Sequence, residues 1–128
     1  MWVASSSVQA MTLTPAMVTF DTLDARALSA WWAEQTGGQV RDIADGWFVM
    51  VTPGPMGGPV LGFQKVEDPT PGKNRVHLDF GASAGRQAEA ERLLAAGASL
   101  VGRHEHDGYA WVVLADPDGN QFCVGDGA

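Results

Sequence analysis

The chain has 128 residues, of which 45% are hydrophobic and 18% are charged, and its formal net charge is -7. A chain of this length buries enough surface to form one globular domain without a disulfide or a structural metal. The acidic excess leaves no basic stripe for phosphates, so we expect neither nucleic acid nor a membrane as a partner. The single cysteine, Cys123, excludes an intrachain disulfide and indicates a cytoplasmic location.

Residues 1–14 are set apart from the rest by small polar side chains and by the absence of any hydrophobic periodicity. No Lys or Arg precedes an apolar stretch there, so the pattern of a signal peptide is missing. We therefore predict a flexible N-terminal tail over residues 1–14 and a single domain over residues 15–128.

The first half of the domain predicts a strand, a helix and three further strands. Asp24 is expected to cap a helix that reaches about Gln35 and stops at Gly37-Gly38. Asp45-Gly46 is expected to form a hairpin turn. The four strands are predicted over residues 16–21, 39–43, 47–52 and 60–66.

The second half repeats this order after a connector that contains Pro69 and Pro71. Ser83 is expected to cap a helix that runs to about Ala96, with Gly97 as its stop. The four strands are predicted over residues 75–80, 99–103, 109–114 and 121–124.

Matching residue types recur at nearly constant spacing between the halves, which predicts an internal duplication. The pairs are Phe20 with Phe80, Gly37 with Gly97, Trp47 with Trp111, Pro53 with Pro117 and Phe63 with Phe122. We therefore divide the domain into module one over residues 15–67, a linker over 68–73 and module two over 74–125.

Two stretches resemble the glyoxalase-like family of the vicinal oxygen chelate superfamily. They are Pro71-Gly72-Lys73-Asn74-Arg75-Val76-His77-Leu78-Asp79 and Trp111-Val112-Val113-Leu114-Ala115-Asp116-Pro117-Asp118-Gly119-Asn120-Gln121-Phe122-Cys123-Val124. The resemblance implies an α+β fold in which two tandem βαβββ modules form a curved, eight-stranded mixed sheet, a cup with helices outside. It also implies a small-molecule ligand in that cup.

Metal-dependent members of the superfamily take two ligands from each module, and the resemblance places those positions at Met17, Gln64, His77 and Cys123. Only His77 is an ordinary ligand for a hard or borderline divalent ion, and none of the four is a carboxylate. We therefore expect no cofactor, although a divalent metal is possible. We also expect no glyoxalase I turnover, because that reaction needs a metal-bound water and a carboxylate base.

His77 and Asp79 are two residues apart on a predicted strand, so their side chains share a face. A carboxylate that orients an imidazole suits general acid–base catalysis, and we take this pair as the candidate catalytic residues. Arg75 would share the same face, where it would meet an anionic group of a ligand. The alternative is an Arg75 that faces solvent.

The candidate ligand-binding residues are Gln64, Trp111, Cys123, Trp47, Phe20 and Arg75. For Trp47 and Trp111 the pattern leaves pocket wall and core packing equally open. Cys123 is expected to be an inert buried side chain rather than a nucleophile. His104 and His106, before the predicted Asp107-Gly108 turn, favour a solvated hairpin tip over a metal clip.

These patterns favour a small-molecule-binding protein without a tightly bound metal. The alternative is an isomerase, lyase or cyclase that uses His77 and Asp79 with little or no dependence on metal. Trp31 and Trp32 adjoin on one helix, so one of them is expected to face away from the sheet. An exposed tryptophan predicts a partner, and we expect a homodimer.

Overall fold

A computed structural model describes Leu13 and residues 15–127, so almost all of the predicted tail lies outside the described residues. The chain divides into two compact units, Met1–Val66 and Glu67–Ala128. Each unit contains one four-stranded mixed sheet and one helix. The predicted α+β class and its two βαβββ modules are confirmed. Neither helix in the described residues is long and apolar enough to cross a membrane.

The first unit has the sheet order β1-β4-β3-β2, with β1 parallel to β4 and the other neighbours antiparallel. Its elements are β1 Met17–Thr22, α1 Ala25–Thr36, β2 Val40–Asp42, β3 Phe48–Val51 and β4 Val60–Lys65.

Both ends of α1 follow from local sequence signals. The Asp24 side chain accepts a hydrogen bond from the Ala27 backbone N–H at 3.0 Å, which satisfies a donor that the first helical turn leaves free. Gly37 ends the helix with φ of 76°, a left-handed conformation that favours glycine. Leu28 and Trp32, one turn apart, are buried on the side of the helix that packs on the sheet. The predicted caps of this helix are confirmed.

The second unit repeats the topology with the sheet order β5-β8-β7-β6, in which β5 is parallel to β8. Its elements are β5 Leu78–Ala82, α2 Arg86–Ala95, β6 Ser99–His106, β7 Tyr109–Ala115 and β8 Gln121–Asp126.

The start of α2 corrects the predicted Ser83 cap. The residue before the helix is Gly85, which has no side chain to accept a hydrogen bond. Instead the Asp126 carboxylate, at the end of β8, accepts from the Arg86 backbone N–H at 2.9 Å and pairs with the Arg86 guanidinium. These interactions, the backbone hydrogen bond foremost, hold the pKa of Asp126 below its ordinary value. The acceptor comes from 40 residues away, which is why local pattern could not identify it.

The second sheet has one face against α2 and one open face. Successive residues of a strand point to opposite faces, so the buried positions identify the side toward the helix. Val112, Leu114, Phe122 and Val124 are all buried there with Ala90 and Leu93 of α2. The open face therefore carries Trp111 and Val113 of β7 and Cys123 and Gly125 of β8.

The strand register corrects one of the predicted ligand positions, Gln64, and two of the predicted repeat matches. If Met17 corresponds to His77, Thr19 corresponds to Asp79. Thr19 pairs with Gly62, as Asp79 pairs with Cys123. Gly62, rather than Gln64, is therefore the counterpart of Cys123.

The same register applies to the other two matches. The counterpart of Phe122 is Leu61 rather than Phe63, and the counterpart of Trp111 is Phe48 rather than Trp47. Matching by residue type failed because the loops before these strands differ in length. The match with Phe63 is off by two residues and keeps the same strand face, whereas the match with Trp47 is off by one and turns to the other face.

Trp31 and Trp32 make an edge-to-face contact with ring centroids 5.0 Å apart. Trp32 is buried and Trp31 is half-buried, so neither ring is the exposed tryptophan from which the homodimer was expected. The homodimer stays a prediction.

We expect Asp116→Ala to lower the free energy of unfolding by roughly 1–3 kcal/mol, since buried donors that lose their acceptor are costly. Asp116 is 2% exposed and accepts from the backbone N–H groups of Asp118 and Asn120, both at 2.9 Å, in the turn before β8. Urea unfolding measures the change. Asp116→Asn is the matched control because it keeps one acceptor oxygen, and an equal loss in both variants would contradict the explanation.

Candidate functional site

A cavity of about 580 Å³ lies on the open face of the second sheet. One side of it is polar and contains His77, Asp79 and Cys123 with Lys73 and Gln121. The other side is aromatic and contains Trp111 and Tyr109 with His104 and His106. All three histidines of the sequence therefore line one cavity.

The polar side is organised around His77, which lies immediately before β5. Its Nδ1 atom is 3.1 Å from Oδ1 of Asp79 and 3.8 Å from Sγ of Cys123. Asp79 is the residue of β5 that pairs with Cys123 of β8, so the parallel register sets this contact. The structure thus brings together three of the predicted site residues: His77, Asp79 and Cys123.

Asn74 fixes the approach of His77 to the sheet. Its Oδ1 accepts from the Gln121 backbone N–H at 2.9 Å, and its Nδ2 donates to the Gln121 carbonyl at 3.3 Å. Nδ2 also donates to the Val76 carbonyl. The Asn74 side-chain amide therefore forms hydrogen bonds to the Gln121 backbone, as the peptide group of a neighbouring strand would. The sequence analysis placed Asn74 at the start of module two, just before a predicted strand, and missed this role.

The charge state of Cys123 follows from its surroundings. Burial, and then the hydrogen bond to the Asp79 carboxylate and its charge, raise the pKa of the thiol above its ordinary value, and the Lys73 charge opposes them. The thiol is therefore protonated at neutral pH, which makes it a poor nucleophile. Cys123 is half-buried rather than buried, and its inertness stays a prediction.

The aromatic side is a row of three rings on the β6–β7 hairpin. The Trp111 ring is stacked against His104, with centroids 5.5 Å apart, and against Tyr109, at 5.6 Å. His104 lies opposite Trp111 on the neighbouring strand of the hairpin. Tyr109 lies two residues before Trp111 on β7, so the two side chains share a strand face. Because β6 reaches His106, beyond its predicted end at Arg103, His104 and His106 line the cavity as well as being exposed. Extending the strand alternation to the turn could have found them.

Arg75 takes no part in this cavity, although strand alternation predicted that it would share the face of His77. β5 begins at Leu78, and Arg75 lies in a bend before it, so the alternation does not reach that far. Lys73 lines the cavity in its place. The basic side chain at this end of the strand is therefore Lys73 and not the predicted Arg75.

The predicted site residues of the first unit lie on different faces of its sheet. Met17 and Gln64 lie on the open face of their own sheet, opposite to the buried Leu61 and Phe63. Phe20 stacks on Phe63, with centroids 4.9 Å apart, and contacts Trp32 of α1, so it lies on the helix side.

Trp47 also lies away from the open face of the first sheet. It is beside the start of α1, where Leu23 and Arg26 line the same shallow hollow, and the Lys65 ammonium lies 4.8 Å from its ring centroid. We therefore leave both Trp47 and Phe20 out of the site.

Two βαβββ modules, one with a polar and aromatic cavity on its open face, define a protein of the vicinal oxygen chelate superfamily. A family model described as a glyoxalase-like domain matches residues 17–125. The chain belongs to this glyoxalase-like family. The search of curated proteins gave no match.

Solved structures show the same fold at low sequence identity. A glyoxalase/bleomycin resistance protein/dioxygenase family enzyme from Burkholderia phytofirmans is 21% identical and covers 91% of this chain and 100% of its own, with a TM-score of 0.71. A lactoylglutathione lyase from Agrobacterium tumefaciens is 18% identical, with coverage of 91% and 96% and a TM-score of 0.66.

A third structure is a point mutant of the fosfomycin resistance protein FosX from Listeria monocytogenes, in complex with Mn(II) and a dihydroxypropylphosphonic acid. It is 13% identical, covers 92% of both chains and has a TM-score of 0.74. At these identities the likeness concerns the fold alone, and the chemistry has to be argued from this chain's own residues.

We expect Asn74→Ala to speed hydrogen exchange at the Gln121 amide by about fivefold, since the loss of one such hydrogen bond corresponds to roughly 1 kcal/mol of local opening. Amide exchange followed by NMR measures this. Asn74→Asp keeps the acceptor for the Gln121 N–H and should leave that amide protected. Unchanged exchange in the Ala variant would mean that the connector is held in another way.

Proposed function

We propose that this protein binds a small organic molecule in the cavity on the open face of its second sheet, without a tightly bound metal. The observation that carries the proposal is the meeting of the His77–Asp79–Cys123 cluster with an aromatic wall in one cavity of about 580 Å³. Ligand sites of about 300–1,000 Å³ typically combine apolar walls with a few convergent polar groups.

The ligand positions of the first module supply little that a metal ion could use. Met17 offers a thioether, which suits soft ions alone. Gly62, the register counterpart of Cys123, offers no side chain, and a Cβ there would lie only 2.5 Å from the Met17 sulfur. The set that the fold family implies therefore does not fit a hard or borderline divalent ion.

The second module offers more. His77, Asp79 and Cys123 have ligand atoms within 4.8 Å of one another, the one such group of His, Cys and acidic residues among the described residues. A metal there would have to displace the proton of a thiol whose pKa is raised, and this weakens binding near neutral pH. These donors support weak binding at most.

We expect the purified, dialysed protein to hold far less than one equivalent of nickel, zinc, manganese or iron, because the donor set is incomplete. Elemental analysis by mass spectrometry measures the content directly. His77→Ala serves as the comparison, since any residual metal at this cluster should fall further in that variant. A stoichiometric ion in the unaltered protein, lost with His77, would overturn the proposal that no tight metal is bound.

A second candidate function is acid–base catalysis, and the contact between His77 and Asp79 favours it. A carboxylate oxygen only accepts hydrogen bonds, so Nδ1 carries the hydrogen when Asp79 is ionised. In the neutral imidazole, the Nε2 atom then keeps its lone pair and could remove a proton from a bound molecule. An isomerase, lyase or cyclase needs such a group, and no metal has to take part.

We expect His77→Ala to weaken a ligand found by unbiased screening at least roughly tenfold, about 1.4 kcal/mol, because the ring lines the cavity. Calorimetry measures the affinity, and thermal unfolding should show an unchanged fold because the His77 side chain is 44% exposed. Glu34→Ala, an exposed change on α1, is the control.

The same screen separates the two candidates. Turnover that disappears in Asp79→Asn, while affinity persists, would identify the acid–base enzyme. Equal affinity in the unaltered protein and in His77→Ala would place the ligand elsewhere and defeat the cavity proposal.

A further inference from the structure

The ring row of His104, Trp111 and Tyr109 forms one continuous aromatic surface at the cavity wall. Tyr109 is 62% exposed although it is stacked against Trp111, so much of its ring is available to a ligand. Its ring plane lies within 30° of that of Trp111, and the Trp111 and His104 planes lie within 25° of each other. An exposed aromatic cluster of this kind beside a cavity marks a binding surface.

Gly125 lets this surface reach the polar cluster. Gly125 is buried and pairs with Trp111, and a Cβ at this position would lie 2.9 Å from Oη of Tyr109. The Tyr109 ring therefore extends over β8 at a place where any larger residue would displace it. On the same strand face, two residues earlier, lies Cys123 with its contact to His77.

Lys73 adds a positive charge to the polar side. It lines the cavity and forms no salt bridge with any carboxylate in residues 15–127. Asp79 is the negative charge on the same side, and its carboxylate already accepts a hydrogen bond from His77 at 3.1 Å. A free cation in a protein of net charge -7 is a place where an anionic group of a ligand gains most.

We propose that the ligand is a flat, conjugated ring system that carries an acidic group. The ring system of the ligand lies against Tyr109 in the ring row, and its acidic group faces Lys73 and His77. The inference rests on the proposed function, because it names the class of molecule that the same cavity takes. Stacked aromatic pairs gain affinity beyond that of area alone, which corresponds to about threefold to tenfold tighter binding for a flat ring.

The test compares three probes of one carbon skeleton by amide NMR titration of the full chain. 2-Naphthoate is flat and anionic, decahydro-2-naphthoate is anionic but saturated, and 2-naphthamide is flat but neutral. We expect 2-naphthoate to bind about threefold to tenfold more tightly than the saturated acid, with shifts at the amides of Gln121, Cys123 and Gly125. The neutral amide should bind about threefold more weakly than 2-naphthoate.

Matched variants assign these preferences to residues. Tyr109→Leu should remove the preference for the flat acid and Tyr109→Phe should keep it. Gly125→Ala, which displaces the ring without altering it, gives a second route to the same loss if the Leu variant is unstable. Lys73→Met should make 2-naphthoate and 2-naphthamide bind alike.

Three results would overturn the inference. Equal binding of the flat and saturated acids at these amides would leave the cavity as the site but reject a flat ligand. A change of oligomeric state in Tyr109→Leu, without loss of preference, would make the row an interface between copies. If none of the probes shifts these amides, the ligand class is wrong. The proposed function then fails as well only if the screen also yields no ligand that depends on His77.

Discussion

The parallel register between β5 and β8 is the constraint on which the candidate site depends. It sets Asp79 opposite Cys123, on the face that α2 does not cover, and the chain just before β5 then carries His77 to the same pair. A slip of one residue would turn Asp79 toward the helix and bring Phe80 to the open face. The slip is unfavourable because Phe122 and Val124 of the neighbouring strand are buried against α2. A slipped β5 would place the polar Asp79 beside this apolar core in place of Phe80. The packing against α2 and the chemistry of the cavity are therefore set by one register.

Local signals predicted the elements well because their causes are local. The Asp24 cap, the Gly37 stop and the Asp45-Gly46 turn each depend on residues within one turn of chain, and the structure has all three. The start of α2 could not be predicted in this way, because its acceptor, Asp126, comes from the far end of the module. The beginning of β5 was misplaced for a related reason, since a side chain, that of Asn74, replaces backbone pairing there.

The site shows the same division between local and distant causes. Two-residue alternation was enough to put His77 and Asp79 side by side, and a family motif pointed to Cys123. Alternation could not reveal that Trp111 is stacked between strands with His104, because that contact depends on how β6 pairs with β7. Nor could matching tryptophans locate the counterpart of Trp111. Trp47 precedes its strand and lies by α1, while Phe48 holds the paired position.

Within the cluster, the position of the carboxylate decides what chemistry is available. None of the four positions that the resemblance gives as metal ligands is a carboxylate, and the acidic group of this cluster is Asp79, on the strand beside Cys123. From that strand it contacts the imidazole at 3.1 Å and the thiol that burial already keeps protonated. Asp79 thus accepts a hydrogen bond from His77, which orients the imidazole, and its negative charge lies beside the Cys123 thiol. The carboxylate of this cluster therefore lies on β5 beside the imidazole, where its contact with Nδ1 orients the ring that lines the cavity.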